Sequence, residues 1–119
     1  MFEDGKPIFG QLAEKIADDI LQGVYAEGDQ VPSTNEYAAY YRINPATAGK
    51  GVNLLVEREI LFKKRGIGMF VAVGAKQRIA RERDGGLVAN FITPLLAEAR
   101  ALGLSTPELI RLIQQEDSP

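Results

Sequence analysis

From Pro7 to Gly23 apolar residues recur every fourth position, at Ile8, Leu12, Ile16 and Ile20, with a second row at Phe9, Ala13, Ala17 and Leu21. A period of four with an adjoining row is the stripe of a helix laid on a core, and Gly23 is a stop signal at its end. "AEGDQVP" (26–32) lacks periodicity and reads as a loop. Helical order resumes at Ser33, which stands three residues before Glu36 in the spacing of a capping box. Tyr37, Ala38 and Tyr41 form the inward face of this second helix, and Arg42-Ile43 ends it. Asn44 then caps a third helix with Pro45 at its first position, where a missing N–H does no harm. Ala48, Val52 and Leu55, with Gly51 among them, give that helix a buried face running to about Arg58. A turn of about three residues between the two is helix-turn-helix spacing.

The period then changes from helical to alternating. Ile60 and Phe62, followed by Met69, Val71 and Val73, predict two strands joined by Arg65-Gly66-Ile67-Gly68 as a hairpin. The expected fold is mainly α with a small β-hairpin: a winged helix-turn-helix domain over residues 1–74, followed by a short helical C-terminal dimerisation arm over 75–119. In the arm, Gly85-Gly86 is expected to loosen or interrupt the helix, and Pro94 to kink it by withholding a donor from the carbonyl of Asn90. Gly103 ends that helix, and Ser105 with Glu108 caps a last short one. Leu87, Val88, Phe91, Ile92, Leu95, Leu96, Ala99 and Leu102 spread over two helical stripes. One stripe suffices to dock the last helix through Leu109, Ile110, Leu112 and Ile113. The other would leave an apolar patch that soluble monomers rarely expose, so these eight positions are expected to pair two copies into a homodimer.

Composition narrows the chemistry. The chain has no Cys, which removes disulfides and thiolate metal sites, and no His, which removes the commonest general base and transition-metal ligand. No enzyme, metal site or cofactor is expected. No apolar run approaches the length of a membrane span, so a cytoplasmic protein without a membrane partner is expected. The net charge of −2 conceals a strong asymmetry. Residues 1–41 hold two basic against eight acidic side chains, residues 42–83 ten against three, and residues 84–119 two against five. The middle segment is the footprint expected of contact with double-stranded DNA.

On a winged helix the third helix enters the major groove. Residues 45, 46, 49, 50 and 53 lie opposite its buried face, so Pro45, Ala46, Gly49 and Lys50 would meet the duplex, with Lys50 the sole charge there. Gly49 leaves approach unobstructed, while Gly51 faces inward to allow close packing on the aromatic residues of the second helix. Ser33, Thr34, Asn35, Asn44, Thr47 and the helix N-terminal amides suit phosphate oxygens. Lys63, Lys64, Arg65 and Gly66 in the wing suit the backbone or the minor groove.

Over residues 7–72 the sequence resembles the GntR-type winged helix. The motifs that carry the likeness are P-I-x-x-Q-L from Pro7, I-x-x-G-x-x-x-x-G from Ile20, Pro32-Ser33, N-P-x-T from Asn44, and R-G-x-G-x-F-V from Arg65. The short arm resembles that of the YtrA subfamily. The resemblance implies a homodimeric DNA-binding transcriptional regulator, often of a transporter operon; a sequence-specific repressor is expected, and the two-fold symmetry of a dimer makes its expected operator an inverted repeat. Asn35 departs from the Arg common in the family, Ala48 from a larger apolar residue and Gly51 from Ala. A winged helix used for protein–protein contact without DNA is the alternative. The arm, about 45 residues, is too small to enclose a typical metabolite pocket, so any small-molecule effector stays unassigned.

Overall fold

The computed structural model describes residues 2–118. It divides into two compact units, one ending at Ala80 and one beginning at Arg81. In the first, α1 (Ile8–Leu21) is closed by Gly23 in the left-handed region (φ 85°), with the Val24 N–H reaching back to the Asp19 carbonyl. A short strand β1 (Gln30–Val31) leads into α2 (Thr34–Tyr41) and α3 (Pro45–Glu57). Arg42, Ile43 and Asn44 make the turn between them. Arg42 takes a left-handed conformation (φ 56°), and its N–H and that of Ile43 both close on the Ala38 carbonyl. The wing is β2 (Leu61–Lys64) and β3 (Gly68–Val71).

The sequence predicted two strands, and the structure has three. β1 joins β3, giving an antiparallel sheet in the order β1-β3-β2 with Gln30 opposite Phe70 and Lys64 opposite Gly68. The hairpin loop is therefore the three residues 65–67, since Gly68 already belongs to β3. Gly68 is required by its backbone, whose φ of 146° side-chain-bearing residues rarely adopt, and Gln30 lies against it. The Gln30 amide donates to the Ile67 carbonyl at 3.1 Å, and a Cβ on Gly68 would stand 2.5 Å from the Gln30 Nε2.

The core of this unit is aliphatic. Leu12, Ile16 and Ile20 of α1 meet Val52 and Leu55 of α3, with Ile60, Leu61 and Val71 from the wing. Each such side chain contributes about 1.5–3 kcal/mol by leaving water. Ala75 and Ile79, beyond the Gly74 at which the winged domain was expected to end, are also fully buried in it. They lie on α4 (Ala75–Leu87), which begins in the first unit and ends in the second. Gly51 faces inward as expected, but its neighbour is α1 and not the aromatic residues of α2. A Cβ there would lie 2.8 Å from the Phe9 carbonyl oxygen and 3.2 Å from Leu12 Cδ2. The bare backbone lets α3 close on α1.

In the second unit, Gly85 and Gly86 do not interrupt the helix but sit inside α4. Pro94 is met by a π-helical turn, Val88–Ile92, in which the Thr93 N–H bonds to the Val88 carbonyl. Such a turn is a common answer to a residue that clashes with the preceding turn. α5 (Thr93–Ala101) follows, and α6 (Thr106–Glu116) starts from a complete Ser105–Glu108 capping box. The bend into α6 is 119°. Ala99 and Leu109 are the buried residues of this unit. Among the described residues no single helix is long and apolar enough to cross a membrane.

Candidate nucleic-acid interface

Two helix N-termini open the candidate surface, and both are set by side-chain caps. At α2 the Ser33 Oγ accepts from the Glu36 N–H at 3.1 Å, while the Glu36 carboxylate accepts the Ser33 N–H at 3.0 Å. That hydrogen bond from the Ser33 backbone, reinforced by the side chain, holds the Glu36 carboxyl below the usual carboxylate range. At α3 the Asn44 Oδ1 accepts from the Ala46 N–H at 2.8 Å, with Pro45 at the first helical position.

Ala46, Thr47, Gly49 and Lys50 lie together with Asn53 around one shallow, open concavity on α3. Asn53, one turn beyond Lys50, shares this face and was absent from the residues expected to contact DNA. Its position opposite the buried stripe is the signal that marks it. Gly49 is half-buried at the seam with α2, where a Cβ would meet only Thr34 Cγ2, at 3.5 Å. Thr34, at the start of α2, is half-buried there, and Asn35 beside it is exposed.

Lys50 is exposed, but its Nζ lies over the Phe9 ring of α1 at 4.9 Å from the centroid. A cation held on an aromatic face gains about 0.5–1 kcal/mol at an exposed site, so reaching a base edge requires leaving Phe9. The wing repeats the arrangement. Phe62 and Phe70 stack on the outer face of the sheet at 5.7 Å, and the Lys64 Nζ sits 4.5 Å from the Phe70 centroid. Lys63, Lys64, Arg65 and Gly66 are all exposed, and Gly66 supplies the left-handed turn residue (φ 78°).

Not every cation of the basic segment is available to a ligand. Arg58 pairs with Glu14 at 3.2 Å, and Arg78 donates to the carbonyls of Glu59 and Val73. By contrast Lys50, Lys63, Lys64 and Arg65 have no ion pair among the described residues.

In the arm, Leu87, Val88, Phe91, Ile92, Leu95 and Leu102 are exposed, with Phe91 and Leu102 each at 67%. Leu96 is half-buried. Ala99, at 5%, belongs to the small core of the arm itself and is already covered. Ile110, Leu112 and Ile113 of α6 are also exposed.

This architecture agrees with known proteins. The profile of the family described as bacterial regulatory proteins, gntR family, matches residues 9–71, more than half the chain. The HTH-type transcriptional repressor YtrA of Bacillus subtilis (strain 168) is 26% identical over 109 residues, covering 92% of this chain and 83% of the relative. A GntR family transcriptional regulator from Listeria monocytogenes superposes with a TM-score of 0.71 at 26% identity, covering 96% of this chain and 98% of that structure. AraR(DBD) solved in complex with operator ORX1 superposes with a TM-score of 0.57 at 27% identity, covering 60% of this chain and 93% of that one. A helix-turn-helix with capped N-termini, a three-stranded wing and a matching profile lead to one conclusion: the chain belongs to the GntR family of DNA-binding transcriptional regulators.

Proposed function

We propose that the protein is a repressor that binds an inverted-repeat operator as a homodimer, in the cytoplasm, with a transporter operon as its target. Lys50 and Asn53 read base edges from α3. Ser33, Thr34, Asn35, Asn44 and Thr47 hold phosphates, and Lys63, Lys64 and Arg65 grip the backbone beside the groove. The observation that carries this reading is the run of wing cations without ion pairs in a domain whose α2 and α3 N-termini are both open to solvent. Cations in that condition release counterions from DNA at little internal cost.

The arm supports the dimer. Its six large exposed side chains from Leu87 to Leu102 need a cover, and a two-fold related copy supplies the same surface in return. Such a dimer presents two α3 helices about one duplex turn apart, roughly 34–36 Å, or a multiple of it. The test is selection of duplex fragments by the full-length protein, followed by binding across a salt series. An inverted repeat bound with steep salt dependence is expected. Failure to bind any selected duplex at low salt would favour the protein-contact role of the winged helix.

A further inference from the structure

All four tyrosines of the chain, Tyr25, Tyr37, Tyr40 and Tyr41, line one cleft of about 420 Å³ between α1, the loop after it and α2. Its other walls are Asp19, Pro32 and Glu36. The volume falls within the range of small-molecule sites, about 300–1,000 Å³. The rings take different orientations. Tyr37 and Tyr41 are nearly parallel (19°) at 6.4 Å, and Tyr40 stands edge-on to Tyr41 (87°) at 4.9 Å. The only charged groups in the lining are carboxylates. Asp19 is half-buried and has no ion pair among the described residues. Burial first, and the negative charge of Asp19 after it, push the hydroxyls of Tyr25 and Tyr41 above the usual range. Tyr37 is a further anomaly. It is 5% exposed, and its hydroxyl is buried without a hydrogen-bond partner among the described residues. A buried hydroxyl left unmatched costs about 1–3 kcal/mol, an expense that a cleft kept only for packing would avoid with Phe.

Aromatic faces attract cations through the ring quadrupole, and they favour bulky, weakly hydrated cations that surrender little solvation on entry. We propose that this cleft binds a small organic cation of the methylated-ammonium class, enclosed by the tyrosine rings and neutralised by Asp19. Glu36 stands at the rim with one carboxylate oxygen already on the Ser33 N–H, so it adds field more than a contact. A bare metal ion fits poorly, because rings cannot replace the oxygen ligands it would lose. Through Glu36 the cleft adjoins the Ser33 cap, but its occupancy does not depend on the repressor reading.

The experiment titrates the full-length protein with tetramethylammonium chloride. Controls at matched concentration are sodium chloride, for ionic strength, and tert-butyl alcohol, a neutral group of similar bulk. The chain has no Trp, so its ultraviolet emission reports the four tyrosines of the cleft. A saturable change with tetramethylammonium, absent in both controls, is expected. Tyr40→Ala, at a ring 75% exposed, and Asp19→Asn should each weaken it about fivefold with the circular dichroism spectrum unchanged. Arg111→Ala, on α6, should leave it unaltered. A linear response, an equal response to the neutral alcohol, or saturation indifferent to both cleft substitutions would overturn the proposal.

Discussion

Gly49 and Gly51 stand two residues apart on one helix, and the structure assigns them opposite responses to a single methyl group. Either glycine-to-alanine change should gain about 1 kcal/mol from helix propensity. At Gly49 nothing opposes that gain, since the new Cβ would meet only Thr34 Cγ2, at an ordinary 3.5 Å. At Gly51 the Cβ would press on the Phe9 carbonyl oxygen at 2.8 Å and Leu12 Cδ2 at 3.2 Å. Leu12 is fully buried, and the carbonyl is main chain of α1, so neither can swing aside. Relief requires α1 and α3 to part, and overpacking of this kind costs about 1–3 kcal/mol. Gly49→Ala is therefore expected to be stabilised by about 1 kcal/mol. Gly51→Ala should range from neutral to destabilised by about 2 kcal/mol. Urea denaturation followed by circular dichroism at one fixed protein concentration measures both, because a dimer makes apparent stability concentration-dependent. If Gly51→Ala gains as much as Gly49→Ala, the close approach of α3 to α1 is not what requires the glycine. Operator affinity supplies the second half. If Gly49 is bare so that the duplex can come close, Gly49→Ala should bind more weakly despite its greater stability, and unchanged binding would reduce that glycine to a tolerated weakness of the helix.

Three further outcomes follow from the same geometry. Lys50→Ala should relax sequence preference, at about 1–3 kcal/mol if Lys50 reads a guanine edge, whereas Lys64→Ala should weaken all sequences alike and flatten the salt slope. Identical behaviour of the two across a panel of duplexes would refute the division of labour. Ser33→Ala should cost about 1 kcal/mol of stability by removing the α2 cap. The Glu36 carboxyl is lowered in the fold from an ordinary 4.5 by the Ser33 backbone and side chain, and Glu108 by its Ser105 partner. Both contributions are accordingly present above about pH 4.5 and fade as pH falls through the lowered values. The Ser33→Ala deficit should shrink in acid, and one constant with pH would show that Glu36 is not the partner that matters. Phe91→Asp, at a 67% exposed position in the arm, should give a monomer by sedimentation with reduced operator affinity and an intact fold. A Phe91→Asp variant that stays dimeric would show that this face is not the interface.

What the sequence disclosed well is local. The Ser33–Glu36 and Ser105–Glu108 boxes and the Asn44-Pro45 start all form as spaced, because a cap is satisfied within four residues and needs no distant partner. The buried stripes of α1 and α3 are likewise fixed by period. β1 escaped because two residues cannot display alternation, and its pairing with β3 is made some forty residues away. Gly85 and Gly86 misled in the other direction. Their propensity cost of about 1 kcal/mol each is a weak prior, and the helix runs through them.

Gly51 shows where local reading stops. Periodicity correctly turned it inward, but it says which face is buried and not what the face meets, and the aromatic residues of α2 were the nearer choice in sequence. The actual neighbour, the Phe9 carbonyl, lies 42 residues earlier on α1 and offers no side-chain signal at all. Lys50 repeats the lesson, since its exposed position was legible while the Phe9 ring beneath its ammonium was not. The tyrosine cleft is the same case on a larger scale. Tyr37 and Tyr41 read as inward residues of one helix, while Asp19 belongs to another. Only the packing of both helices on α3 brings them to one cavity. Faces are properties of a segment and can be counted from its letters. Sites are properties of the pairs of faces that tertiary structure brings together, and in this chain each candidate site gains its chemistry from a neighbour that sequence spacing does not announce.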